Sequence, residues 1–181
     1  MQTVLVGDCL DILAGRSGFE AVVSDPPSGI NFMGVKFDSD HGHPDKWAEY
    51  MGARFRAQRE ACIPGAYGVY WALPRTADWT ARALRIAGWH IVDKIHHVFG
   101  QGWNKAASQL KPAQEDWFLV RDTRSPHVRP LNMDACRVAR GMGDVKPFGS
   151  PKKSRGGILN GTAEPREQFQ QHAAGSMPTN F

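Results

Sequence analysis

The sequence predicts an α/β fold, a layered sheet that is mostly parallel with antiparallel strands at its end. Three observations predict it: short β-branched runs alternate with stretches of helical spacing, glycines and prolines punctuate the junctions, and 41% hydrophobic residues supply a core. Sequential strands separated by helices build parallel pairings, and strands that follow one another directly build antiparallel ones.

Taken in order, residues 2–6 (QTVLV) and 20–24 (EAVVS) are β-branched runs predicted as strands. The DCLDILAG stretch between them makes a turn or two of helix before Gly15 and Gly18 end it, giving a β-α-β opening. Residues 46–62 space Trp47, Tyr50, Met51, Arg54, Phe55 and Cys62 as a helix does, and Pro64-Gly65 should stop that segment ahead of a third apolar run, AYGVYWAL. Thr76 is placed to cap a helix over ADWTARALRIAG, and Gly88 to close it. WHIVDKIHHVF then alternates as a strand should, and DWFLVRD at 116–122 is a further strand. From Gly141 the composition turns to Gly, Pro, Lys, Ser and Gln, so the expectation is a catalytic body over residues 1–140 and a flexible basic tail, or the start of a further segment, over 141–181.

A chain of 181 residues fits one domain or one domain with a tail. The 22% of charged residues and six Trp exclude wholesale disorder and a collagen-like repeat. No apolar run approaches the roughly 20 residues of a membrane helix, and the opening MQTVLVGD lacks the layout of a secretory signal, so a cytoplasmic protein is expected. Cys9, Cys62 and Cys136 are odd in number and far apart, which suits free thiols. The net charge of +4 admits a polyanionic partner without requiring one.

The most informative segment is Ala21 to Gly29, AVVSDPPSG, an apolar strand that ends in an acid and two prolines. Neither proline can donate to a ladder, so pairing must stop there and the chain becomes a stiff loop. An acid fixed at such a strand end faces the crevice where open α/β sheets bind ligands. A structural turn with a solvated Asp25 would read the same way.

These residues resemble the amino-methylating DNA methyltransferases, which use S-adenosylmethionine and carry an [Asp/Asn/Ser]-Pro-Pro-aromatic tetrapeptide, and they are most similar to phage-type members. The resemblance covers most of residues 3–140, in order: VLVGDCLDIL, SDPPSGINFMGVKFDSD, WALPRTADWTARALRIAGWHI, VFGQGW, LKPAQEDWFLVRD and LNMDACRV. It implies a partial Rossmann-like methyltransferase sheet acting on double-stranded DNA, with S-adenosylmethionine as cofactor and the target base extruded from the duplex. It also implies that Asp25 and the carbonyl of Pro26 accept hydrogen bonds from an adenine N6 or cytosine N4 amino group, with Pro27 and Ser28 completing the tetrapeptide. Asp8 matches an acid beside the cofactor adenine, and Asp25 borders the same cofactor.

Two departures stand out. Ser28 occupies the position of the stacking aromatic, so stacking falls to another side chain such as Phe32 or Trp71. The cofactor motif Phe-x-Gly-x-Gly is not found, and Phe99-Gly100-Gln101-Gly102 imitates it only weakly. The expectation is therefore a DNA methyltransferase whose catalytic half this chain contains, with a separate chain or a lost C-terminal segment as the carrier of the cofactor loop. The alternatives are a non-catalytic DNA-binding remnant or one half of a split enzyme, and an unrelated nucleotide-binding protein using Asp25 as a ligand.

Trp103, Asn104, Lys105 and Lys111 form a basic, aromatic-containing loop expected to contact DNA phosphate and an unstacked base, and Glu115 is expected to position a loop. His41, His43, His96 and His97 are not spaced as a metal site: HGH lies in a polar loop, and adjacent histidines on a strand point to opposite faces. No phosphate-binding G-x-x-x-x-G-K-[ST] run precedes AVVSD, which excludes a nucleic-acid motor.

Overall fold

The computed structural model describes residues 2–100 and 113–136. These belong to two units, one running to Arg129 and one beginning at Pro130, whose described part is an extended stretch and one tight turn, Met133–Cys136. The 141–181 tail and the Trp103, Asn104, Lys105 and Lys111 loop lie outside the described residues.

The first unit runs α1 (Cys9–Leu13), β1 (Phe19–Ser24), α2 (Pro44–Ala61), β2 (Cys62–Ala72), α3 (Ala77–Ile86), β3 (Trp89–Val98) and β4 (Gln114–Asp122). The four strands form one mixed sheet in the order β1-β2-β4-β3. β1 and β2 pair in parallel across the α2 crossover, and β4 inserts between β2 and β3, antiparallel to both. Three strands therefore point one way and β4 runs against them. The ends of β1, β2 and β3 and the start of β4 share one edge of the sheet, where Ser24 pairs with Tyr70 and Ala72 with Asp116.

Helix formation follows local chemistry. Asp8 caps α1 by accepting from the Leu10 N–H at 2.9 Å. His43 does the same for α2, its Nδ1 accepting from the Asp45 N–H at 3.2 Å with Pro44 in the first turn. The buried stripe Trp47, Ala48, Met51, Gly52 and Phe55 turns α2 onto the sheet. Gly52 lets α3 approach closely, since a Cβ there would stand 2.8 Å from Ile86 Cγ2. Gly88, at φ +85°, ends α3 in the left-handed conformation its position requires.

Three expectations change. The run at 2–6 forms no strand: Val4 and Val6 are 86% and 97% exposed, and no neighbouring edge pairs with them among the described residues. β-branching favours extended backbone, but a strand also needs a ladder partner. Pro64-Gly65 does not precede the third strand but lies inside it, because β2 begins at Cys62. The register jumps there, from Phe19 opposite Cys62 to Ala21 opposite Tyr67, so the proline occupies a bulge where no ladder N–H is demanded. Thr76 sits at the head of α3, yet its hydroxyl makes no cap there and donates instead to the Ser28 carbonyl at 3.0 Å.

The core lies between the sheet and the α2/α3 layer. Phe55, Tyr70 and Trp89 meet edge to face at 4.9 and 5.9 Å, and the Trp89 indole N–H donates to the Phe55 carbonyl at 3.1 Å. Burial raises the Tyr70 phenol far above its ordinary pKa, so it stays neutral. At the far edge, fully buried Asp122 accepts from Arg59 Nε at 2.9 Å, Arg124 Nε at 2.8 Å and the Gly65 N–H at 3.3 Å. Burial pushes its pKa up, but hydrogen bonds from the Arg124 side chain and backbone N–H and the charges of Arg124 and Arg59 outweigh that and hold it below the usual carboxylate value. One carboxylate thereby ties the end of α2, the β2 bulge and the end of β4.

Truncating Phe55, which is fully buried against both Tyr70 and Trp89, should cost the protein about 3–5 kcal/mol. Chemical denaturation of Phe55→Ala beside the unaltered chain checks this.

Candidate functional site

The ladder of β1 stops at Ser24, and the chain runs on without regular structure to a bend at Gly29 and Ile30: Asp25 is exposed, Pro26 is buried, and Pro27 and Ser28 are half-buried. Asp25 has no hydrogen-bond or ion-pair partner among the described residues. It stands at the carboxyl end of a parallel strand, and the position beside it on β2, one beyond Tyr70, is the half-buried Trp71.

What makes the loop stiff is a second acid, Asp38, which is 3% exposed. Its Oδ1 accepts from the Gly29 N–H at 2.8 Å and the Ser28 hydroxyl at 3.2 Å, and its Oδ2 accepts from the Phe32 N–H at 2.8 Å and the Ile30 N–H at 3.3 Å. Its carbonyl accepts from the Asn31 N–H at 2.8 Å, closing the loop. Burial raises the Asp38 pKa, and the donors from Phe32, Gly29, Ile30 and Ser28 more than offset this, so the net shift is downward from 3.8. Gly29, at φ +70°, packs so close to the indole of Trp47 that a Cβ would stand 2.5 Å from its Nε1. The Thr76 hydroxyl fixes the Ser28 carbonyl from the head of α3. The tetrapeptide is thus held by α2, α3 and Asp38 while its first acid faces solvent.

Ser28 spends its hydroxyl on this clamp. Phe32 is 52% exposed on the same loop, seven residues beyond Asp25, so the structure brings these two into one segment. Asp8 is not part of that segment: beyond capping α1 it takes Arg54 Nη2 at 2.6 Å, and the Leu10 N–H and the guanidinium lower its pKa. Arg54 in turn lies 3.6 Å from the centre of the Tyr50 ring, on which His41 also stacks at 4.1 Å. No bond joins Asp8 to the Asp25 loop among the described residues.

Further along the same sheet edge, Asp116 is 2% exposed and accepts from Lys94 Nζ at 2.8 Å, His96 Nδ1 at 2.8 Å and Gln114 Nε2 at 3.1 Å. His97 turns to the opposite face, 3.5 Å from Glu115, as adjacent strand residues must. No group of three His, Cys, Asp or Glu among the described residues is placed to hold a metal ion. No helix among them is long and apolar enough to cross a membrane.

Two contributors went unread in the sequence. Asp38 sits in FDSD, an ordinary polar run, and its only sign was a stretch of N–H groups after the prolines with no ladder to join. Thr76 was read as a cap, which its position supports equally well.

No protein-family model matches the sequence, and no curated protein matches it. The chain is similar in backbone course to solved structures at low identity. TTHA0409 of Thermus thermophilus, a candidate DNA modification methylase solved with S-adenosyl-L-methionine, shares 18% identity at a TM-score of 0.49 over 70% of this chain and 55% of that one. A selenomethionine form of the same protein gives 0.48 over 70% and 54%. M1.HpyAVI in complex with SAM shares 14% identity at 0.49 over 81% of this chain and 61% of that one. This chain therefore spans between 54% and 61% of the length of these structures.

Asp38→Asn keeps the shape of the clamp but turns one acceptor into a donor that faces N–H groups, and should cost about 1–3 kcal/mol at neutral pH. A carboxylate whose folded pKa lies below 3.8 contributes stability above that value and loses it as the pH falls through the folded pKa. The gap in denaturation midpoint between the unaltered chain and Asp38→Asn should therefore be constant above about pH 5 and shrink below 3.8.

Proposed function

We propose that this chain is an S-adenosylmethionine-dependent DNA methyltransferase that modifies adenine N6 or cytosine N4. The observation that carries the reading is Asp25: a solvent-facing carboxylate without a partner among the described residues, at the carboxyl end of a strand, on a loop that Asp38 locks. The ordered resemblance of six sequence blocks supports it.

The chemistry follows from the amino group. Its lone pair is delocalised into the base, so it attacks poorly until hydrogen bonds from both N–H groups favour a pyramidal nitrogen. The Asp25 carboxylate accepts one of these bonds and the Pro26 carbonyl the other. The cofactor, when bound, supplies an electrophilic methyl on a sulfonium. Transfer forms an N–CH3 bond, breaks the S–CH3 bond, and leaves a proton on nitrogen that Asp25 can pass to water. Fixed placement of the acceptor is the main contribution of this chain, and it needs no metal and no covalent intermediate on the protein.

Residues for the cofactor are less complete. Asp8 is the resembling candidate, and it would contact an adenosine only while sharing its carboxylate with Arg54 and the Leu10 N–H. The described residues contain no glycine-rich turn after a strand that would cradle the methionine portion.

A second reading, a half-enzyme completed by another polypeptide segment, is favoured by one observation. Among the described residues β1 pairs on one side only, Phe19 and Val23 on it are 42% and 78% exposed, and Val4 to Val6 join no ladder. Calorimetry separates the two readings. A complete methyltransferase binds both S-adenosylmethionine and DNA, whereas the half-enzyme or a DNA-binding remnant binds DNA alone.

In an assay with labelled S-adenosylmethionine and mixed-sequence duplex DNA, the proposal expects label in DNA from the unaltered chain. Asp25→Ala should reduce it about a hundredfold or more with little loss of folding stability, because the side chain is exposed and has no hydrogen-bond or ion-pair partner among the described residues. Equal labelling by the two proteins would reject the assignment of Asp25.

A further inference from the structure

We infer that the loop from Phe32 to Asp38 is a wedge that enters the base stack of duplex DNA beside Asp25, with Met33 and Phe37 as the inserting side chains. The inference rests on the proposed reading of a DNA substrate and extends it to how the duplex is opened.

Three large apolar side chains stand out from this short loop. Phe32 is 52%, Met33 85% and Phe37 70% exposed. Exposed apolar residues at Val4 to Val6 lie on backbone that joins no ladder among the described residues, and Val23 lies on β1, which is paired with β2 on one side only there, so both suit the addition of a strand. The loop differs, because its backbone is already satisfied. The Gly34 N–H donates to the Asn31 carbonyl, Val35 to Phe32, Asp38 to Val35 and Ser39 to Lys36, at 3.0 to 3.3 Å. No strand is invited there, so the apolar groups are offered as side chains.

The offering is also built in against conformational preference. Asn31 and Met33 hold φ of 53° and 51°, left-handed values that residues with a Cβ seldom adopt. Such positions persist where the surroundings over-determine them, and here the Asp38 carboxylate grips the Phe32 N–H while its carbonyl takes the Asn31 N–H. The strain holds Met33 outward.

The occupant that fits is a base step. Phe and Met are among the side chains that wedge between stacked bases and unstack them. Lys36, exposed between Met33 and Phe37, supplies a cation for the flanking phosphate, and the chain's net charge of +4 suits a polyanion. The placement matches the need, since the clamp that holds the wedge also holds Ser28 and Gly29, next to the acid that would receive the extruded base.

The test uses the 181-residue chain and mixed-sequence duplexes in which 2-aminopurine replaces some adenines, because that base brightens when it is unstacked. At saturating protein, so that affinity differences drop out, the unaltered chain should raise the emission about threefold or more. Met33→Ala/Phe37→Ala should leave it near the level of free duplex. Circular dichroism should show the same fold, since neither side chain is buried. An equal rise with the variant, or duplex binding by the unaltered chain without any rise, overturns the wedge. So does a variant that changes only self-association, which would make the loop a protein contact. Brightening without methyl transfer would sink the proposed reaction and leave the wedge standing, whereas methyl transfer without brightening does the reverse.

Discussion

Everything at the candidate site depends on how the backbone is satisfied where β1 ends. Two successive prolines have no N–H to offer β2, so the ladder cannot continue past Ser24, and the following N–H groups of Gly29, Ile30 and Phe32 are left without strand partners. Asp38 answers that deficit from ten residues beyond Ser28, with a single buried carboxylate. A carboxylate has about four acceptor positions, enough for this set, and its negative charge strengthens each bond. The same group therefore ends the strand cleanly and prevents the loop from collapsing over Asp25.

The chain uses this device repeatedly. Asp122 gathers two arginines and a backbone N–H at one edge of the sheet, and Asp116 gathers a lysine, a histidine and a glutamine at the other. In each case burial would disfavour the charge were it not met by converging donors. Set beside these three, Asp25 differs, because it stands exposed at the carboxyl end of β1 with no hydrogen-bond or ion-pair partner among the described residues. An acid that merely capped or tied the loop would look like Asp38. On the proposed reading, that isolation leaves it available to an incoming N–H donor.

Much of this was legible in the sequence. The helical spacing of Trp47, Met51 and Phe55 and the abrupt Asp25-Pro26-Pro27 ending both depend on near neighbours, and both appear as read. What was not legible depends on distant ones. Residues 2–6 have the composition of a strand, but strand formation is decided by a partner. Pro64 looked like a terminator and instead sits in a bulge, because whether a proline breaks a ladder depends on the register opposite it. Thr76 stands where a cap belongs, yet the Ser28 carbonyl, 48 residues away, takes its hydroxyl. Asp38 could have been found only by asking which acceptors serve the N–H groups stranded after the prolines.

The cost of ordering explains why the clamp matters for the proposed chemistry. Fixing a residue's backbone costs roughly 1–2 kcal/mol, and extruding a base adds a few kcal/mol more. A loop that became ordered only on DNA would draw both amounts from the same contacts. From Asp25 to Asp38 the ordering is already supplied by intramolecular bonds and by Gly29 resting on Trp47, so it belongs to folding rather than to binding. Contacts made with DNA then remain to offset unstacking. The exposed run at Val4 to Val6 has no such support among the described residues, and any partner that pairs with it must contribute the ordering as well. That difference in prior order separates a surface proposed to open a duplex from one suited to receive a strand.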